Sequence, residues 1–181
     1  RRHAGTLSYE VLAAAAGAGR PAEEGLRTLA DRWPQLRLPS VPRGVSYPHT
    51  LNRILRAARG AHLLVLTDDV RVGPGCLEAL LGAARSRPDA GAVTPRGHDA
   101  CLLVPREAFL RIGEFDERFR GACWDADFRL RALQRGFHIV PVAGAALRRA
   151  AAPGAAGASA DHRILFEKWA GHPLLPAAGR R

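Results

Sequence analysis

The sequence predicts an α/β fold, a mainly parallel mixed sheet flanked by helices, in one domain over residues 1–170 with a tail at 171–181. Three observations predict it. The run Leu63-Leu64-Val65-Leu66 has the unbroken hydrophobicity of a strand covered on both faces. Short apolar runs alternate with stretches of helical period through most of the 181 residues. Hydrophobic residues make up 47% and charged residues 24%, the balance of a packed core rather than of a disordered chain.

The elements follow in order. Residues 9–12 read as a short strand running into an Ala-rich stretch that Gly17, Gly19 and Pro21 punctuate. A helix begins at Pro21, where a missing N–H costs nothing. Glu23 and Glu24 complement its dipole, and Leu26, Leu29, Ala30 and Trp33 give it an apolar stripe before Pro34 stops it. Residues 36–38 read as a second strand, followed by a proline-rich loop. A helix over 50–59 carries Leu51, Ile54, Leu55 and Ala58 on one face and ends at Gly60. The strand 62–66 then runs into Thr67-Asp68-Asp69.

Pro74 opens a helix bearing Leu77, Leu80, Leu81 and Ala84. Residues 90–94 and 100–104 read as strands joined by a short polar link. Helices follow over 106–112 and 125–135, stopped by Gly113 and Gly136, with a strand at 137–142. In 143–160, 13 of 18 residues are Ala or Gly, so a loose segment is expected there. The last helix, 161–170, sets Leu165 and Trp169 one turn apart. No internal repeat is visible.

The charge is +10, from 27 basic and 17 acidic residues, and Lys168 is the single lysine. Such a balance favours an anionic partner. A nucleic-acid module is the weakest reading, because the arginines are spread and no finger or stacking motif accompanies them. Cys76, Cys101 and Cys123 lack C-x-x-C spacing, which favours reduced thiols and a cytoplasmic location. No run is long enough to span a bilayer; peripheral membrane contact stays open.

Two acidic clusters fall at element boundaries on the side where open α/β sheets bind ligands. Asp68 and Asp69 repel each other unless a cation or donor screens them. They suit a hard divalent ion that would in turn hold phosphate, and equally a solvated turn. Asp125-Ala126-Asp127, after Trp124, stands at a helix start. A carboxylate there serves as general base toward a hydroxyl, or simply as an N-cap. Spacing alone does not decide either case.

The order of segments adds what single motifs lack. Asn52 with Ala57-Ala58-Arg59-Gly60, then the apolar strand into Thr67-Asp68-Asp69-Val70, resembles the family 2 glycosyltransferases and their approach to an Asp-x-Asp motif. Pro74-Gly75-Cys76-Leu77-Glu78 resembles the helix that follows in that family. Residues 100–109, leading to Ile112-Gly113-Glu114-Phe115-Asp116-Glu117, are similar to its strand, helix and Gly-x-Phe-Asp-Glu block. Asp125-Ala126-Asp127-Phe128 resembles its Glu-Asp-x-Asp-Leu motif, and Phe166-Glu167-Lys168-Trp169 its trailing Phe-x-x-Lys-Trp.

This resemblance implies the glycosyltransferase A fold, a Rossmann-like sandwich. It also implies inverting transfer of a sugar from a nucleotide-diphosphate donor to a carbohydrate or lipid-linked acceptor. Asp69 would bind Mg²⁺ or Mn²⁺, Asp68 and Asn52 would serve the donor, and Asp125 would be the base, with Asp127 as a secondary candidate. The chain also departs from the pattern. The family's first strand has no counterpart before Tyr9, so the chain is expected to be truncated at its amino end. Ala15-Ala16-Gly17-Ala18 stands where an acid would contact the base, Trp124 replaces a Glu, and Arg148-Arg149 lie near a metal-binding histidine. These departures motivate the alternative of a catalytically inactive binding or scaffold module.

Overall fold

The computed structural model describes residues 7–16, 19–97, 101–149 and 158–174. In chain order they form β1 (Val11–Leu12), α1 (Arg20–Arg32), β2 (Leu36–Arg37), α2 (Tyr47–Ala57), β3 (His62–Leu66), β4 (Val70–Val72) and α3 (Cys76–Ser86). There follow β5 (Ala90–Pro95), β6 (Cys101–Pro105), α4 (Arg106–Ile112), α5 (Trp124–Gln134), β7 (His138–Val142), β8 (Leu147–Arg149) and α6 (Ala158–Trp169).

The main sheet has four strands in the order β3-β6-β5-β7. β6 runs antiparallel to both neighbours and β5 pairs parallel with β7. Three strands therefore point one way, as a mainly parallel sheet requires, but β6 is wedged among them in reverse. The short link after Pro95 explains this, since a parallel return needs a crossover of a dozen residues or more. β1 and β2 form a separate parallel pair, and β4 and β8 a separate antiparallel ribbon. The ribbon revises the expectation of a loose segment over 143–160, because residues 147–149 are a strand.

Both faces of the main sheet are covered. Along β6, Leu102 and Val104 join a cluster with Phe109, Phe128, Leu165 and Trp169, while Cys101 and Leu103 join Cys76, Leu80 and Val93 on the other side. That alternation is the period-two geometry of a strand, and it explains why these strands read as continuous apolar runs. Phe119 and Phe128 are fully buried, each contributing about 2–3 kcal/mol over an exposed ring.

Gly91 belongs to this packing: a Cβ there would lie 2.7 Å from the Cβ of Phe137. By contrast α1 buries none of its residues, and Leu29 and Trp33 stay 46% and 45% exposed. Its apolar stripe is real, but the expected core-facing role is not seen. No helix among the described residues is long and apolar enough to cross a membrane.

Candidate functional site

The acid pair sits where β3 ends. A turn closed by the Val70 N–H donating to the Thr67 carbonyl (3.2 Å) carries Asp68 and Asp69 from β3 into β4. Thr67 Oγ1 donates to Asp69 Oδ1, fixing that carboxylate on the turn. Asp68 is exposed and Asp69 half-buried. The ribbon begins one residue later, with Val70 opposite Arg149 and Arg71 opposite Arg148.

No cluster of three or more His, Cys, Asp or Glu side chains among the described residues forms a protein cage for a metal. Two adjacent carboxylates, one oriented by a hydroxyl, suit instead a hard ion whose remaining positions are filled by water and substrate phosphate.

Asp125 lies in the first turn of α5, where the helix dipole favours a carboxylate. It is half-buried and ion-paired with Arg129 one turn on, at 3.2 Å. The helix is entered through Cys123, whose φ of 60° is the one left-handed non-glycine conformation among the described residues. Such a conformation is costly for a residue with a Cβ, so the surrounding loop must enforce it.

Tyr47 links the two acidic clusters. Its ring packs against that of Trp124, with centroids 5.6 Å apart and planes inclined at 56°. Burial, and then the charges of Asp68 and Asp69, push its phenol up to about 12. Tyr47 therefore stands in the field of the acid pair while touching the residue that precedes Asp125. Trp124 is buried in turn, edge-on to Phe115 at 4.9 Å. Acid pair, Tyr47, Trp124 and Asp125 form one continuous wall.

Two predicted site residues do other work. Asn52 is 1% exposed, and its amide is spent on the chain itself. Its Nδ2 donates to the Phe115 carbonyl and to Glu117 Oε1, both at 2.9 Å, and its Oδ1 accepts from the Phe115 N–H at 3.0 Å. The expected donor contact gives way to a clamp on the segment that leads to Asp125.

Asp127 has no exposure at all. It accepts from Arg131 Nε and from Trp169 Nε1, each at 2.9 Å, and Lys168 Nζ lies 2.7 Å away. A carboxylate so enclosed cannot reach an acceptor hydroxyl. It ties α5 to α6, and the trailing Lys168-Trp169 pair thereby receives a structural explanation.

The segment 113–122 is gripped from both sides. On the α2 side Ser46 caps the helix, its Oγ accepting from the His49 N–H (3.3 Å) and donating to the Glu117 carbonyl (3.1 Å). Tyr47 N–H donates to the Arg120 carbonyl at 3.1 Å. On the α6 side the buried Asp161 accepts three successive backbone N–H groups. Arg120 donates to Oδ1 at 2.8 Å, and Gly121 and Ala122 donate to Oδ2 at 2.9 and 2.7 Å.

Tyr47 and Asp161 were not singled out from the sequence. Ser46 followed by Pro48 is a helix-start signature that would have placed Tyr47 on α2. Asp161 reads locally as an ordinary first-turn acid.

A separate cavity of about 430 Å³ opens beside β1 and β2, walled by residues 13–16 and 38–43 with Arg27 of α1. Its floor at Ala15 and Ala16 carries no acid.

No family model and no curated protein matches this sequence. Among solved structures, the chain is similar to the mannosyltransferase PcManGT from Pyrobaculum calidifontis, determined in complex with GDP-Man and Mn²⁺. The TM-score is 0.65 at 18% identity, over 75% of this chain and 47% of that one. The chain thus spans about half the length of that enzyme. At this identity the likeness concerns architecture: the chain has a glycosyltransferase-like fold.

Proposed function

We propose that this chain transfers a sugar from a nucleotide-diphosphate donor to an acceptor hydroxyl, with inversion at the anomeric carbon. The observation that carries the reading is the wall joining Asp68 and Asp69, through Tyr47 and Trp124, to Asp125. It sets a diphosphate-side acid pair and an acceptor-side carboxylate along one surface, as a displacement with separate leaving and entering groups requires.

Asp125 takes the proton from the attacking hydroxyl, and its ion pair with Arg129 fixes the carboxylate. Tyr47 and Trp124 present aromatic surface between the two ends, and Tyr47 keeps its phenol protonated as a donor. Asp69, with Asp68 beside it, would hold Mg²⁺ or Mn²⁺ together with phosphate oxygens. When bound, the ion supplies the counter-charge for the departing diphosphate. Asn52, Asp127 and Asp161 act at a distance, by fixing the segment and helix that present Asp125.

The acceptor class is a carbohydrate or a lipid-linked hydroxyl or phosphate, met in the cytoplasm or at a membrane surface. A second reading, binding without transfer, draws on β8. Its register sets Arg149 opposite Val70, near the position where the resemblance has a metal-binding histidine. Calorimetric titration of nucleoside diphosphates with Mn²⁺ tests the donor side. Metal-dependent binding lost in Asp69→Ala is expected; no binding, or binding indifferent to Asp69, would overturn it.

A further inference from the structure

The β4–β8 ribbon carries a feature that its own stability does not explain. Arg71 and Arg148 are directly opposite each other in an antiparallel pair, so both project from the same face, and both are exposed. Directly opposed residues lie about 5 Å apart at Cα, and like charges there are destabilising. Neither arginine has an ion-pair partner among the described residues. The ribbon is only three residue pairs long, too short to be stable by itself.

It is held from its other face, where Leu147 is buried and Val70 and Val72 pack against the Cys76 and Leu80 cluster. Close backbone approach adds to this: Gly73 N–H donates to the Ala146 carbonyl at 2.8 Å, where a Cβ on Gly73 would lie 2.8 Å from that of Ala146. The fold thus anchors a ribbon whose outer face sets two guanidinium groups side by side.

Placement gives this pair its meaning. β4 follows the carboxyl end of β3 through the Asp68-Asp69 turn, and β8 follows the carboxyl end of β7. The ribbon therefore stands over the edge of the sheet where α/β folds bind ligands. We propose that Arg71 and Arg148 together form a phosphate-binding site at the rim of the acid-lined wall. Guanidinium forks match phosphate oxygens bidentately, and a bound anion removes the repulsion that the empty pair retains.

The phosphate can belong to the nucleotide donor or to a phosphorylated lipid acceptor; the chemistry recognised is the same. This deepens the glycosyl-transfer reading by adding a subsite to it, but the binding test stands apart. Pyrophosphate that depends on both arginines in a chain that transfers no sugar would leave the site and remove that reading. Transfer by a chain whose anion binding ignores both arginines would do the reverse.

The test titrates pyrophosphate in EDTA by calorimetry and, separately, measures sedimentation with phosphatidylcholine vesicles containing a polyprenyl phosphate. Expected is binding in at least one arm, about tenfold or more weaker in Arg71→Ala/Arg148→Ala. Response to pyrophosphate alone assigns the donor's phosphates, and response to the vesicles alone assigns a lipid-linked acceptor. Single Arg71→Ala should melt no lower than the parent without anion, because it relieves repulsion. Absence of binding in both arms, binding that the double variant retains, or a lowered melting temperature of the single variant would overturn the proposal.

Discussion

Replacing Asp161 by Asn probes how the segment before α5 is held. The carboxylate has no access to solvent, and all three of its described acceptor contacts are to consecutive N–H groups of residues 120–122. Burial pushes its pKa up, but donation from Ala122, Gly121 and Arg120 outweighs this and holds the carboxyl below the usual range. In Asp161→Asn one oxygen still serves Arg120. The amide NH₂ then faces Gly121 and Ala122, donor against donors.

Two charge-assisted bonds are lost, at about 1.5–3 kcal/mol each. Gly121 is exposed and Ala122 half-exposed, so water recovers part of that, leaving a cost of about 2–4 kcal/mol. Urea unfolding at neutral pH should show this as a lower midpoint at unchanged slope.

The pH dependence has a definite sign. A carboxyl whose folded pKa is depressed contributes stability above its unfolded value near 4, and loses it as pH falls through the folded value. The gap between parent and variant should therefore close on acidification through the carboxylate range. A gap below about 0.5 kcal/mol at pH 7, or one that ignores acid, would refute this reasoning.

Further outcomes follow from neighbouring contacts. Asp127→Asn should cost about 3–5 kcal/mol in urea unfolding, because it leaves Lys168 and Arg131 facing a neutral amide in a closed site. Asn52→Ala should cost about 2–3 kcal/mol by stranding the Phe115 backbone. In a Tyr9→Phe background, absorbance titration should find the Tyr47 phenol ionising near 12, and Asp68→Asn/Asp69→Asn should lower that value; an unmoved value would separate Tyr47 from the acid pair.

Much of the fold was readable because it rests on local patterns. The apolar run of β3, the caps and stops of α4 and α5, and the positions of Asp68, Asp69 and Asp125 at element ends are all local. What escaped is long-range or short. β4 and β8 have three residues each, too few to show a period, and β8 lies in an Ala/Gly-rich stretch. The reversed course of β6 was implicit in the short link after β5, which no parallel crossover can fit.

The assignment of Asn52 and Asp127 to ligand contact failed for a shared reason. A polar residue at a helix position is solvent-facing by local rules, and only partners 42 and 63 residues away, Trp169 and Phe115, make these two internal.

Turnover of a nucleotide-diphosphate sugar by the intact chain with Mn²⁺, compared with Asp125→Asn, is the decisive measurement. Removing a general base lowers such rates by about 10²–10⁴-fold. The expected result is nucleoside diphosphate release by the parent, at least about 10²-fold slower in Asp125→Asn, with nucleotide affinity preserved. Equal release by parent and variant, or none by the parent despite nucleotide binding, would contradict the transfer of sugar at this wall.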